Sequence, residues 1–112
     1  LSYVVIMHDP DVPQDYNTLA NRDGVVIPPQ APRMRFNHWV LVNIPGNVNV
    51  LPERADSTGV RKGGKPTGPT ANGVRGQNDY AVFLKDNAEW RGPWGGYDGP
   101  CPPWNDSIVH HY

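Results

Sequence analysis

A mainly β chain with long loops and little helix is predicted by three features of the sequence. Two apolar runs rich in β-branched and aromatic residues, "SYVVIMH" (residues 2–8) and "NHWVLVNIP" (residues 37–45), have the composition of strands covered on both faces. Twelve glycines and thirteen prolines in 112 residues interrupt everything else and rule out long helices. Four tryptophans and five tyrosines supply the large anchors that separate so loop-rich a chain from a disordered one.

The same composition bounds the function. A chain of 112 residues builds one small domain, taken here as 1–112. A formal net charge of −1 gives no general attraction to nucleic acid or to anionic membranes, so any anion site is local. No apolar run approaches the roughly 20 residues of a membrane span. Cys101 stands alone, so no internal disulfide forms; this fits the cytoplasm first and leaves a periplasmic or secreted location open. The chain enters on a strand-like run without a methionine and stops abruptly on "HHY". It is therefore expected to be a piece of a longer protein, lacking flanking strands at both ends.

In order along the chain, the first run reads as a central strand that "DPDVP" (residues 9–13) terminates, because Pro10 and Pro13 lack amide donors. Residues 14–36 form a long excursion with turn signals at residues 21–24 and a Pro-Pro pair at 28 and 29. The second strand ends at Pro45-Gly46. Residues 46–76 read as irregular loop, and "DYAVFLKD" (residues 79–86) as either a strand or one helical turn. "GYDGPCPPW" (residues 96–104) is a stiff loop, after which "SIVHHY" (residues 107–112) restarts a β-like run.

Several polar groups are candidates for chemistry. Asp9 and Asp11, two apart in extended chain, point to one face with Pro10 fixing the backbone between them; they can hold a histidine or cap a turn. His38 precedes Trp39, and either packs or binds. His110 and His111 are adjacent, so only one of them faces a given pocket; His8 flanks Asp9. No H-x-H, H-x-x-x-H or C-x-x-C spacing is present, and neither a metal nor another cofactor is expected. Cys101 reads as a thiol nucleophile beside a histidine or as a small buried residue under the loop. The glycine-rich "GVRKGGKPTG" (residues 59–68) is not a phosphate-binding loop, since Pro66 follows Lys65. The tryptophans are read as core and loop anchors.

Taken together and in order, "HDPDVP", "HWVLVNIPG", "NDY", "GYDGPCPPW" and "HHY" resemble the phosphatidylethanolamine-binding protein family, also called Raf kinase inhibitor-like proteins, in its bacterial and archaeal form. The resemblance spans Tyr3 to Tyr112. It implies a β-sandwich of two antiparallel sheets with a small anion pocket formed by Asp9, Asp11, His38, Trp39, Gly99, Pro100, Pro102, Pro103, His110 and Tyr112. The ligand implied is phosphate, a carboxylate such as acetate, or a phosphoethanolamine head group. In this reading His38 and His110 donate to the anion, Asp11 orients one imidazole, and the proline loop is a rigid wall whose amides, such as that of Gly99, add donors. The sequence departs from the family pattern at the last motif, where Val109 precedes the histidine and His111 replaces an arginine. The leading expectation is a non-enzymatic binding protein. The alternatives are an inhibitor that docks a kinase or protease on the pocket rim, and a small-ester hydrolase using Cys101 or a His-Asp pair.

Overall fold

The run "RMRFNHWVLVNIP" forms strand β2 (Arg33–Pro45) because its bulky β-formers cover both faces: Phe36 and His38 are buried on one side, Leu41 on the other. In the computed structural model, which describes residues 1–57 and 62–112, β2 has a strand on either side of it. Strand β1 (Ser2–Pro13) precedes a single helical turn, α1 (Tyr16–Leu19). After β2 come β3 (Gly68–Thr70), β4 (Gly73–Arg75) and a second helical turn, α2 (Tyr80–Phe83). Among the described residues the strands form one sheet of order β1-β2-β4-β3. The fold is mainly β, as expected.

Register is set by a tight hairpin. β3 and β4 pair antiparallel with Pro69 opposite Val74, and β4 pairs antiparallel with β2 with Leu41 opposite Arg75. The Thr70 hydroxyl stabilises the connection by donating to the Gly73 carbonyl at 3.0 Å and accepting from the Asn72 amide at 3.2 Å.

Four element expectations change. β1 does not stop at Asp9 but continues to Pro13, and it lies at the edge of the sheet rather than at its centre. The two facts share a cause. On an edge strand a missing donor on the open side costs no ladder bond, and the Asp11 amide is satisfied by the Asp9 carboxylate at 2.7 Å. Residues 46–76, read as irregular, contain the β3–β4 hairpin; the three-residue strands are too short to show a period. Residues 107–112 form no strand, whereas residues 79–86, read as a strand or one helical turn, take the helical alternative as α2.

The chain divides into two compact units. The first comprises Leu1–Met7 and Asn37–Gly99, the second His8–Phe36 and Pro100–Tyr112. The first is built on Leu41, Ile44 and Trp94, with the Tyr80 and Trp90 rings packed against Trp94 at centroid distances of 6.0 and 6.3 Å. Its loops approach so closely that Gly64, at φ +91°, leaves no room for a side chain: a Cβ there would lie 2.0 Å from the Pro93 carbonyl oxygen. Gly64→Ala is expected to cost about 1–3 kcal/mol through backbone strain, read as a lower urea midpoint.

In the second unit, Val12, Ile27 and Phe36 are buried, and Asn105 sews the excursion to residues 100–112. Its side chain accepts from the Asn21 amide at 2.8 Å and donates to the carbonyls of Leu19 and Val25 at 2.9 and 3.0 Å. Among the described residues no helix is long and apolar enough to cross a membrane.

Candidate functional site

In the second unit the strand β1 delivers Asp9 to His110. Asp9 is only 2% exposed, and its Oδ2 lies 2.6 Å from His110 Nδ1. The other ring nitrogen, Nε2, meets Asp106 Oδ2 at 3.0 Å, and Asp106 is in turn clamped by Arg33. Two guanidinium nitrogens reach its two oxygens at 2.5 and 3.0 Å, while the same group donates to the carbonyls of Asp11 and Pro28 at 2.9 and 3.0 Å. A carboxylate only accepts, so a ring held by two carboxylates donates from both nitrogens and is an imidazolium. Two positive groups, Arg33 and His110, thus balance two negative ones, Asp9 and Asp106.

The electrostatics follow. Burial works against the charged form of His110, but the hydrogen bonds and Coulomb attraction of Asp9 and Asp106 outweigh it and raise its pKa. Burial likewise works against the Asp106 carboxylate, and the bonds from Arg33, His110 and the Ile108 amide overcome it to hold its pKa at about 2.

Asp11 takes a different partner. Its Oδ2 accepts from His111, from Nδ1 at 2.8 Å and from the amide at 3.0 Å, and the His111 side chain hydrogen bond lowers its pKa. The expectation that Asp11 orients a pocket imidazole is thereby corrected: it holds the exposed His111, and Asp9 holds the buried His110. His111 thus keeps a hydrogen-bonded carboxylate partner at the position where the resemblance leads one to expect arginine. His110, with both nitrogens on carboxylates, has none left to donate to an anion or to accept a proton as a general base.

The first unit holds His38, which is 4% exposed. Its Nδ1 lies 2.9 Å from the Asp98 carbonyl oxygen, and the Asp98 amide donates to the His38 carbonyl at 3.0 Å. The loop around Asp98 is fixed from below. Lys65, 0% exposed, places Nζ 2.9 Å from Asp98 Oδ2 and 2.8 Å from the Tyr97 carbonyl. Asn78 donates to the same Oδ2 at 2.6 Å and to the Gly96 carbonyl at 3.1 Å. Gly99 follows directly in this unit, whereas Pro100, Pro102 and Pro103 of the stiff loop belong to the second.

Strand alternation sends Trp39 to the opposite face of β2 from His38. Its indole N–H donates to Asp56 at 2.5 Å, and Asp56 also accepts from Arg75 Nε at 2.5 Å. There Trp39 lines an open cavity of about 390 Å³ with Leu41, Leu51, Pro52, Asn72 and Tyr97. Cys101 is exposed, not buried beneath the loop, and Tyr112 is about half exposed. Of the glycine-rich stretch judged unfit for phosphate, residues 59–61 lie outside the described residues.

The residues that sequence reasoning missed are Arg33, Asp56, Lys65, Asn78, Asp98 and Asp106. The one available signal was charge: an aspartate set in the stiff "GYDG" turn calls for a cation, and Lys65 is that cation.

Comparison with known proteins bears on the whole chain. The sequence profile described as phosphatidylethanolamine-binding protein matches residues 1–112. A UPF0098 protein of Pyrococcus abyssi is 35% identical over 88 residues, which cover 79% of this chain and 38% of that protein. The UPF0098 protein YbcL of Escherichia coli is 32% identical over 112 residues, 99% of this chain and 40% of that protein. A UPF0098 protein of Methanothermobacter thermautotrophicus is 35% identical over 85 residues, 75% of this chain and 40% of that one. The chain therefore spans about 40% of the length of the curated relatives it matches. No solved structure matches it significantly. With the profile matched from end to end and these relatives at about one-third identity, the chain belongs to the phosphatidylethanolamine-binding protein family.

Proposed function

We propose that this chain carries the anion-binding part of a protein that holds a small phosphate-type or carboxylate ligand without transforming it, with His38 as the donor. The observation that carries this reading is the bond between His38 Nδ1 and the Asp98 carbonyl. A carbonyl only accepts, so Nδ1 keeps its hydrogen and Nε2 is the atom that gains the second proton. Protonation turns the ring into a cationic donor suited to an oxyanion, and the Gly99 amide, one residue beyond Asp98, adds a backbone donor of the kind that binds anions without net positive charge. The second unit's Arg33, His110, Asp9 and Asp106 are satisfied among themselves and serve as scaffold in this reading.

Calorimetric titration with acetate, inorganic phosphate and phosphoethanolamine tests it. Saturable binding is expected, and it should weaken by about tenfold or more in His38→Gln, the scale of a charge-assisted hydrogen bond. His111→Ala should bind as the parent does. An affinity that His38→Gln leaves unchanged would overturn the reading. Phosphoethanolamine binding more tightly than phosphate would identify the head group as the preferred source of the anion.

A further inference from the structure

We propose that Lys65 and Asn78 are positioning residues: from beneath the loop they hold the Asp98 carbonyl on His38 Nδ1 and so fix the tautomer and the orientation of that imidazole. For its consequence in ligand binding this rests on the anion-binding reading; for its geometry it does not.

A fully buried ammonium is unfavourable unless its donors are met, and even a well-paired buried ion pair adds little stability over an apolar pair of the same volume. Stability therefore does not explain why Lys65 is there. What a charged, hydrogen-bonded pair does and an apolar pair does not is fix direction. Asp98 Oδ2 receives Lys65 Nζ at 2.9 Å and Asn78 Nδ2 at 2.6 Å, so the side chain is held from two sides. The neighbouring carbonyls are held by the same two residues, Tyr97 by Lys65 and Gly96 by Asn78. With three consecutive residues pinned and the Asp98 amide bonded to the His38 carbonyl, the Asp98 backbone is held where its own carbonyl meets His38 Nδ1.

The two clamps are themselves rigidly based. The Lys65 amide donates to the Pro93 carbonyl at 2.7 Å, and its own carbonyl accepts from Gly95 at 3.2 Å. The Asn78 amide donates to the Trp94 carbonyl at 2.7 Å, and Asn78 Oδ1 accepts from the Tyr80 amide at 3.1 Å, at the start of α2. Tyr80 in turn sets its ring edge-on to His38, with centroids 6.1 Å apart. Thus the imidazole is located on one side by the clamped carbonyl and on another by a ring whose helix starts on Asn78.

The experiment is a long-range proton–nitrogen correlation spectrum of the imidazoles in the 15N-labelled chain, in mildly alkaline solution. In the parent protein His38 is expected as a single Nδ1–H tautomer; an Nε2–H tautomer there would overturn the proposal with no variant needed. Lys65→Met alone strands a carboxylate and risks the fold, so the decisive variant is Lys65→Met with Asp98→Asn, which removes both charges together. In that variant, and in Asn78→Ala, the single-tautomer signature should be lost to a mixture; Lys62→Met, at an exposed ion pair with Glu89, should keep it. Acetate affinity should fall about two- to fivefold, in proportion to the fraction of rings still oriented for binding. A folded double variant with the parent's tautomer would overturn the proposal. Tautomer mixing in a protein that binds no acetate in any form would overturn the anion-binding reading and support the positioning one.

Discussion

Asp106→Ala is expected to cost about 3–5 kcal/mol of folding stability, the scale of removing one partner from a buried charge pair. The reason lies in what it leaves behind. The Asp106 side chain is 1% exposed, and it accepts two bonds from Arg33 and one from His110 Nε2. Without it a guanidinium and an imidazolium are left in the interior with a single carboxylate, Asp9, which bonds to His110 Nδ1. Against a total of about 5–15 kcal/mol for a small domain, that is a large share. The control is Asp11 with His111, whose side chain is 76% exposed. Breaking that pair by His111→Ala should cost no more than about 1 kcal/mol, because solvent screens it. Urea unfolding near neutral pH reads both, and equal losses would mean that the buried cluster is not what holds residues 106–110 in place. Arg33→Met combined with Asp106→Leu should lose less than Asp106→Ala, since it removes both charges together and leaves His110 paired with Asp9.

How far the sequence foretold this arrangement differs from residue to residue. β2 was legible because "HWVLVNI" is apolar on both sides and has no competing signal. β1 was half legible: its start carries the strand composition, but its end carries two prolines, which stop a strand only when both of its sides need donors. That depends on its place in the sheet, and no local pattern encodes it. The hairpin was lost because a three-residue strand has no period to detect. Within the site, Asp9, Asp11, His38 and His110 stood out because each sits in or beside a motif of unusual composition. Their partners did not. Arg33 and Asp106 are 73 residues apart, Lys65 and Asp98 belong to separate loops, and only folding brings either pair together. A buried lysine in a run of glycine and proline has the same sequence signature as an exposed one. Which of the two adjacent histidines is buried was equally open, because alternation says that they part and not which goes inward.

The same cluster predicts a bounded pH range of stability. For His110 the folded pKa is raised above its ordinary value of 6.5, burial being outweighed by the bonds and charges of Asp9 and Asp106. Its stabilising contribution is therefore complete below about 6.5 and is lost as pH rises through the raised folded value. For Asp106 the sign is opposite. Its folded pKa is lowered from 3.8 to about 2, burial again being outweighed, here by Arg33, His110 and the Ile108 amide. That contribution is complete above the ordinary value, disappears as pH falls from 3.8 towards 2, and amounts to about 2 kcal/mol. Asp11, lowered by its bond to His111, adds to the acid limb in the same direction. Stability should therefore be greatest between about pH 4 and pH 6.5 and decline on both sides. Urea midpoints measured below, within and above that range test the shape, and two variants test the cause. His110→Gln keeps a neutral donor beside Asp9 and should flatten the alkaline limb while leaving most of the acid one. Asp106→Asn should flatten the acid limb and, by removing one of the two carboxylates that hold the imidazolium, shift the alkaline limb to lower pH. An alkaline decline unchanged in His110→Gln would assign it to another histidine and would mean that the ring between Asp9 and Asp106 does not hold its second proton for the fold.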